Sequence, residues 1–125
     1  MNAEYGTRNA DLKKRTFDFS VRVVRLVESL AKNESSRILG RQLLRCGTSV
    51  GANYRAATRA RSRADFISKL GIVEEECDET LYWIDMLTTL QLVRAPRVQK
   101  LKDEADQLLA IVISSIKTAR TNRSR

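Results

Sequence analysis

Apolar side chains recur at three- and four-residue intervals along most of the chain, a spacing that predicts amphipathic helices. Interruptions of the pattern divide it into four helical segments, at about residues 11–32, 36–61, 63–92 and 96–120. Ser36 and Ser62 are candidate helix caps, and Pro96 suits a first helical turn. Four long helices with short connections predict an all-α fold, an antiparallel up-down-up-down four-helix bundle.

The ends of the chain lack this pattern. We expect residues 1–10 to form a flexible N-terminus and residues 121–125 a basic flexible tail. In the first helix, one apolar stripe is expected to face the core: Phe17, Val21, Val24, Val27, Leu30 and Ala31. In the second helix, Gly40, Gly47 and Gly51 lie along one flank. Since glycine weakens a helix by about 1 kcal/mol relative to alanine, three of them predict a helix crossing very close.

Composition limits the chemistry available to the protein. The chain has 125 residues and a formal net charge of +8, which favours an anionic partner. It contains no histidine, which argues against Ser-His or Cys-His nucleophiles and His-ligated zinc. Cys46 and Cys77 fall on apolar helix sides and are expected to be buried thiols in a reducing compartment. We therefore expect a cytoplasmic, non-enzymatic protein without cofactor or metal, and no apolar run is long enough for a membrane span.

Positive charge is concentrated between Ser35 and Ala64, which contain seven arginines and no acidic residue. These residues, called the arginine surface below, are Arg37, Arg41, Arg45, Arg55, Arg59, Arg61 and Arg63. The first five share one helix face within about 80°. The planar guanidinium group suits phosphate, so the pattern predicts a nucleic-acid-binding surface for RNA or DNA. No aromatic residue alternates with these arginines, which favours contacts to the nucleic-acid backbone over base stacking.

Two other uses of this charge remain open. The third helix carries many carboxylates, so some arginines are expected to form intramolecular ion pairs with it. Alternatively, the protein is a scaffold that docks an acidic protein such as a polymerase or reverse transcriptase. The third helix also has a second apolar face, formed by Ile72, Trp83, Met86 and Leu90. Such a face in a small bundle predicts a homo-oligomer interface.

One stretch of the chain has a more specific pattern. The segment at 47–70 reads GTSVGANYRAATRARSRADFISKL, and Glu76, Glu79, Thr80, Tyr82 and Trp83 follow it. Together with the early Phe17-Asp18-Phe19, it resembles the bacterial four-helix-bundle family encoded by intervening sequences of 23S ribosomal RNA genes. The residues that match the family motif are Asn53, Tyr54, Arg55, Ser62, Asp65 and Phe66.

The resemblance carries expectations of its own. It implies a left-handed bundle that assembles into a ring-shaped homopentamer. It also points to a related protein, the accessory variability protein of diversity-generating retroelements, which is a basic pentamer that binds nucleic acid and a reverse transcriptase. By the same resemblance, Asn53, Ser62 and Asp65 are expected to organise the turn between the second and third helices. Arg55 would then be available for binding.

Overall fold

The computed structural model describes the backbone of residues 3–122 and the side chains of residues 10–122. Within that range the chain forms four helices and no strand: α1 (Ala3–Glu28), α2 (Glu34–Thr58), α3 (Arg63–Thr89) and α4 (Ala95–Thr121). Each helix packs against the next along the chain, and α4 returns to α1. The all-α, antiparallel up-down-up-down bundle is therefore confirmed. None of these helices combines the length and the apolar character needed to cross a membrane.

Some helix ends differ from those predicted. Helix α1 begins at Ala3 rather than near Asp11. Residues 3–10 lack an apolar stripe, so periodicity did not predict a helix there, and they contain no proline that would prevent one. Residues 1 and 2 of the expected N-terminal segment lie outside the described range. At the other end, α4 continues to Thr121, and residues 123–125 of the expected tail also lie outside it.

Helix α2 is capped by Asn33. The sequence had indicated Ser36 as the cap, which is wrong. Asn33 has an extended backbone, and its side chain accepts a hydrogen bond from the Ser36 N–H at 2.9 Å. An amide oxygen in this position satisfies an N–H group that would otherwise lack a partner in the first turn. The Ser36 hydroxyl is buried, and within the described residues it has no hydrogen-bond partner.

Helix α3 ends in a left-handed residue. Gln91 has a φ of 58°, and the N–H groups of Gln91 and Leu92 donate to the carbonyls of Thr88 and Leu87 at 3.0 and 2.9 Å. This pair of bonds is a Schellman motif, which usually places glycine at the left-handed position. The sequence has no glycine there, so the predicted helix ran on to residue 92 instead of ending at Thr89.

The core of α1 lies on a different stripe from the one predicted. The buried side chains are Leu12, Thr16, Phe19, Val23 and Leu26. Phe17 is instead 65% exposed, Ala31 is exposed, and Val21 and Val24 are only half-buried. Val27 and Leu30 of the predicted stripe do pack against the core. Both stripes have helical spacing, so periodicity alone did not distinguish them. On the other side of the core, Leu70, Val73 and Cys77 are buried on α3, and Val98 and Leu108 are buried on α4.

The choice of stripe on α1 follows from its close contact with α2, where the predicted glycine crossing is confirmed. A Cβ atom at Gly47 would lie 2.8 Å from the Cβ of Val23, and one at Gly51 would lie 3.0 Å from the carbonyl oxygen of Thr16. Between the two glycines, the Ser20 hydroxyl donates to the Gly47 carbonyl at 2.7 Å and accepts from the Gly51 N–H at 3.0 Å. Glycine therefore lets the two backbones approach, and Ser20 joins them.

Candidate nucleic-acid interface

The arginine surface follows the outer side of α2 and continues into α3. Four members project from α2 itself: Arg37, Arg41, Arg45 and Arg55. Helix α2 ends at Thr58 rather than near Arg61, so Arg59 is its C-cap, Arg61 lies in the connection and Arg63 is the first residue of α3. All seven side chains are exposed. From Arg41 to Arg55 the surface extends about 21 Å along the helix axis.

Two of these arginines are paired within the chain. The Arg37 guanidinium donates to both carboxylate oxygens of Glu34 at 2.8 Å. Arg45 reaches across to α3, where it pairs with Glu79 and, at 3.4 Å, with Glu76. The hydrogen bond from Arg45 holds the pKa of Glu79 below its usual value, with a further contribution from the Trp83 N–H. The predicted neutralisation of the surface by α3 therefore occurs at Arg45.

The other arginines of this surface form no ion pair with the described residues. Within the described part of the chain, Arg41, Arg55, Arg59 and Arg61 have no carboxylate within ion-pair distance. Arg63 donates to the backbone carbonyl of Asn122 at 2.8 Å, which fixes its position without neutralising its charge. The unpaired set, Arg41, Arg55 and Arg59 above all, is the cationic surface that remains for a partner.

An apolar groove borders this surface between α1 and α2. Its cavity of about 770 Å³, called the α1–α2 groove below, is lined mainly by Phe17, Val21, Val24, Gly51 and Ala52. Lys13, Lys14 and Arg55 stand at its rim. This groove was not predicted from the sequence, because periodicity placed Phe17 in the core. The exposed phenyl ring means that an aromatic side chain does lie beside the arginine surface.

The motif residues occupy two separate places. Ser62 caps α3 by accepting the Asp65 N–H at 3.0 Å, and Asp65 accepts the Arg61 N–H at 3.4 Å, so these two residues do lie at the turn. Asn53 lies away from it, because its side chain donates to the Ser49 carbonyl within α2 at 2.9 Å. Tyr54, which is buried, and Phe66 line a cleft of about 850 Å³ between the α2–α3 turn and the end of α4.

The residues expected at an oligomer interface are partly used within the chain. Ile72, Trp83 and Met86 are half-buried, and the Trp83 N–H donates to Glu79 at 3.2 Å. Trp83 also meets Tyr82 edge-on, with ring centroids 4.9 Å apart. Leu90 stays 51% exposed beyond the end of α3. The exposed part of this second face is therefore smaller than the sequence predicted.

The remaining reactive groups are buried. Cys46 and Cys77 are free thiols in the core, and burial raises both pKa values, that of Cys77 to about 12. Across the described residues, no group of three or more Cys, Asp or Glu side chains is placed to hold a metal ion.

Comparisons with known proteins agree with this architecture. A family described as 23S rRNA-intervening sequence protein matches residues 8–114. The chain is also similar to the crystal structure of a protein of unknown function from the S23 ribosomal protein family of Bacteroides thetaiotaomicron VPI-5482, with 35% identity and a TM-score of 0.82. That match covers 87% of this chain and 97% of the other. No curated protein matches the chain. Because the family match spans most of its length, the chain belongs to the 23S rRNA-intervening sequence proteins.

Proposed function

We propose that this protein is a non-enzymatic nucleic-acid-binding protein that contacts RNA or DNA phosphates through the arginine surface. The observation that carries the proposal is the set of exposed arginines left without an intramolecular carboxylate. Surface ion pairs contribute only about 0–1 kcal/mol each, so fold stability alone gives little reason for a long cationic helix face. A planar guanidinium donates two parallel hydrogen bonds to a phosphate, which makes such a face suited to a polyanion.

The test is an affinity measurement with charge-matched variants. One variant carries Arg41→Ala, Arg55→Ala and Arg59→Ala. The control carries substitutions to alanine at three exposed cations near the start of α4: Arg94, Arg97 and Lys100. Both variants lose three positive charges, so a difference in affinity between them reflects where the charges lie and not the net charge. Fluorescence anisotropy with a labelled RNA hairpin and a DNA duplex should show clear weakening for the first variant and a small effect for the control.

Equal effects of the two variants would refute a localised binding surface. The adaptor function expected as an alternative would give a different result. In that case, capture of an acidic protein from a lysate would survive nuclease treatment and depend on the same arginines, while the isolated protein would not bind either nucleic acid.

We also propose that the protein is a homo-oligomer, with the pentamer implied by the family resemblance as the expected size. Leu90 and Ile38 support an apolar contact, because they are 51% and 49% exposed. They belong to the same end of the bundle: α2 and α3 run antiparallel, and Arg45 and Glu79 fix their register. Sedimentation analysis at micromolar concentration should show an oligomer that Leu90→Asp weakens, and a monomer in the unmodified protein would overturn this assignment.

A cytoplasmic location is part of the proposal and is supported by the two unpaired thiols.

A further inference from the structure

The α1–α2 groove combines an exposed aromatic ring with positive charge. Phe17 is 65% exposed, more than Ile38, Tyr82 or Leu90, the other large apolar side chains exposed in the described part of the chain. The ring shares the groove with two small residues, Gly51 and Ala52, and with the apolar side chains of Val21 and Val24. The groove therefore has an apolar interior of about 770 Å³ that is open to solvent.

The charged side chains that line the groove are all cationic. Lys13, Lys14 and Arg55 line it, and its described lining contains no carboxylate. Lys14 is paired with Asp18 at 2.7 Å, whereas Lys13 and Arg55 make no ion pair with the described residues. An apolar interior bordered by unpaired cations fits a ligand with a flat apolar face and a negative charge next to it.

The groove is continuous with the arginine surface. Gly51 lies against Thr16 and Phe17, so in the antiparallel α1–α2 pair Arg55, one turn further along α2, is level with Lys13. Arg55 belongs to both features. If the phosphates of a nucleic-acid strand bind along the arginine surface, a base of that strand would therefore lie next to the Phe17 ring in the groove.

We propose that the α1–α2 groove binds the base of an unpaired nucleotide, with Phe17 stacking on the base and Lys13 and Arg55 contacting the adjacent phosphates. This inference rests on the proposed function and adds to the phosphate contacts a base contact that only single-stranded or looped nucleic acid can make. In a duplex the base faces are covered by neighbouring bases, so the ring has nothing to stack on. Stacking on an aromatic side chain is sequence-tolerant, since every base has a π face.

The experiment compares Phe17→Ala with the control Tyr82→Ala, which removes an exposed aromatic ring from α3. Both sites are exposed, so both variants are expected to fold. The probes are a mixed-sequence single strand carrying 2-aminopurine and the same sequence as a full duplex. Loss of one stacked base should weaken single-strand binding about 5- to 100-fold in Phe17→Ala. Duplex affinity and the Tyr82→Ala variant should stay unchanged, and Phe17→Trp should retain single-strand binding.

The other outcomes overturn the groove assignment, and they separate it from the function itself. If Phe17→Ala leaves single-strand affinity intact while the triple arginine variant lowers it, the function stands and the base site does not. If Phe17→Ala dissociates an oligomer in sedimentation, the groove is an interface with a second copy of the chain. If no variant and no salt concentration alters binding, both the base site and the proposed function are wrong.

Discussion

The close contact between α1 and α2 makes Gly47→Ala an informative substitution. Alanine favours the helix by up to about 1 kcal/mol over glycine. Its Cβ would, however, lie 2.8 Å from both the Cβ and the Cγ2 of Val23, a side chain with no exposed surface. The Cβ of Val23 is fixed to its backbone and cannot rotate away, so α1 itself must move. Such overpacking costs about 1–3 kcal/mol, so after the propensity gain we expect a net loss of up to about 2 kcal/mol in the free energy of unfolding.

Gly71→Ala is the matched control, since it makes the same chemical change within α3. A Cβ built at Gly71 would meet no heavy atom within 4 Å apart from its chain neighbours and the adjoining helix backbone, so the helix-propensity gain should appear there without a clash. We expect Gly71→Ala to stabilise the protein by about 0.5–1 kcal/mol. Urea titrations followed by far-UV circular dichroism, at one fixed protomer concentration, measure both variants.

A second substitution identifies the clashing group. In a Val23→Ala background the two crowded Cγ atoms are gone while the Cβ contact remains, so Gly47→Ala should lose part of its penalty, and the two changes should be coupled. The reasoning would be refuted if Gly47→Ala were as stabilising as Gly71→Ala. It would also be refuted if its penalty were the same with and without Val23.

Three further predictions concern local features. Gln91→Gly should raise the free energy of unfolding by up to about 1 kcal/mol, since glycine carries no strain at the left-handed C′ position; a lower urea midpoint would contradict this. Cys46 and Cys77 should react with a thiol reagent at neutral pH only when the chain unfolds, because burial raises both pKa values, and immediate reaction of native protein would show accessible thiols. The hydrogen bond from Arg45 lowers the pKa of Glu79 from 4.5, so its stabilisation is present above pH 4.5 and is lost as pH falls through the lowered pKa. Urea midpoints should therefore separate the unmodified protein from Glu79→Gln at neutral pH and converge in acid, and a constant difference would contradict the assignment.

Much of the fold could be predicted from the sequence, because apolar residues recur with helical periodicity along most of the chain and helix-breaking residues are few. The start of α3 could also be predicted, since a capping serine and an acid in the first turn, Ser62 and Asp65, mark a helix start locally. The end of α3 could not be predicted, because Gln91 adopts a backbone conformation for which sequence patterns indicate glycine. Likewise, asparagine and serine are both common at helix N-caps, and only the backbone geometry shows that Asn33 and not Ser36 caps α2.

The candidate site was predicted less completely, for a tertiary reason. Helix α1 carries two apolar stripes of equal spacing, and its contact with Gly47 and Gly51 decides which one is buried. That contact includes Ser20, whose two hydrogen bonds to α2 are not visible in a periodicity pattern. Because periodicity placed Phe17 in the core, no exposed aromatic ring was predicted beside the arginine surface. Which arginines pair with α3 likewise depends on helix register, which only the structure supplies.

The proposed function depends on whether the unpaired arginines neutralise phosphates. The most direct measurement is the slope of log K against log salt concentration for the unmodified protein and for the variant altered at Arg41, Arg55 and Arg59. Each neutralised phosphate contributes about 0.9 to this slope on duplex DNA and about 0.7 on a single strand. The account predicts that the triple variant binds more weakly, with a slope flatter by about 2 to 3. Identical slopes for the two proteins, or binding that does not respond to salt, would contradict it.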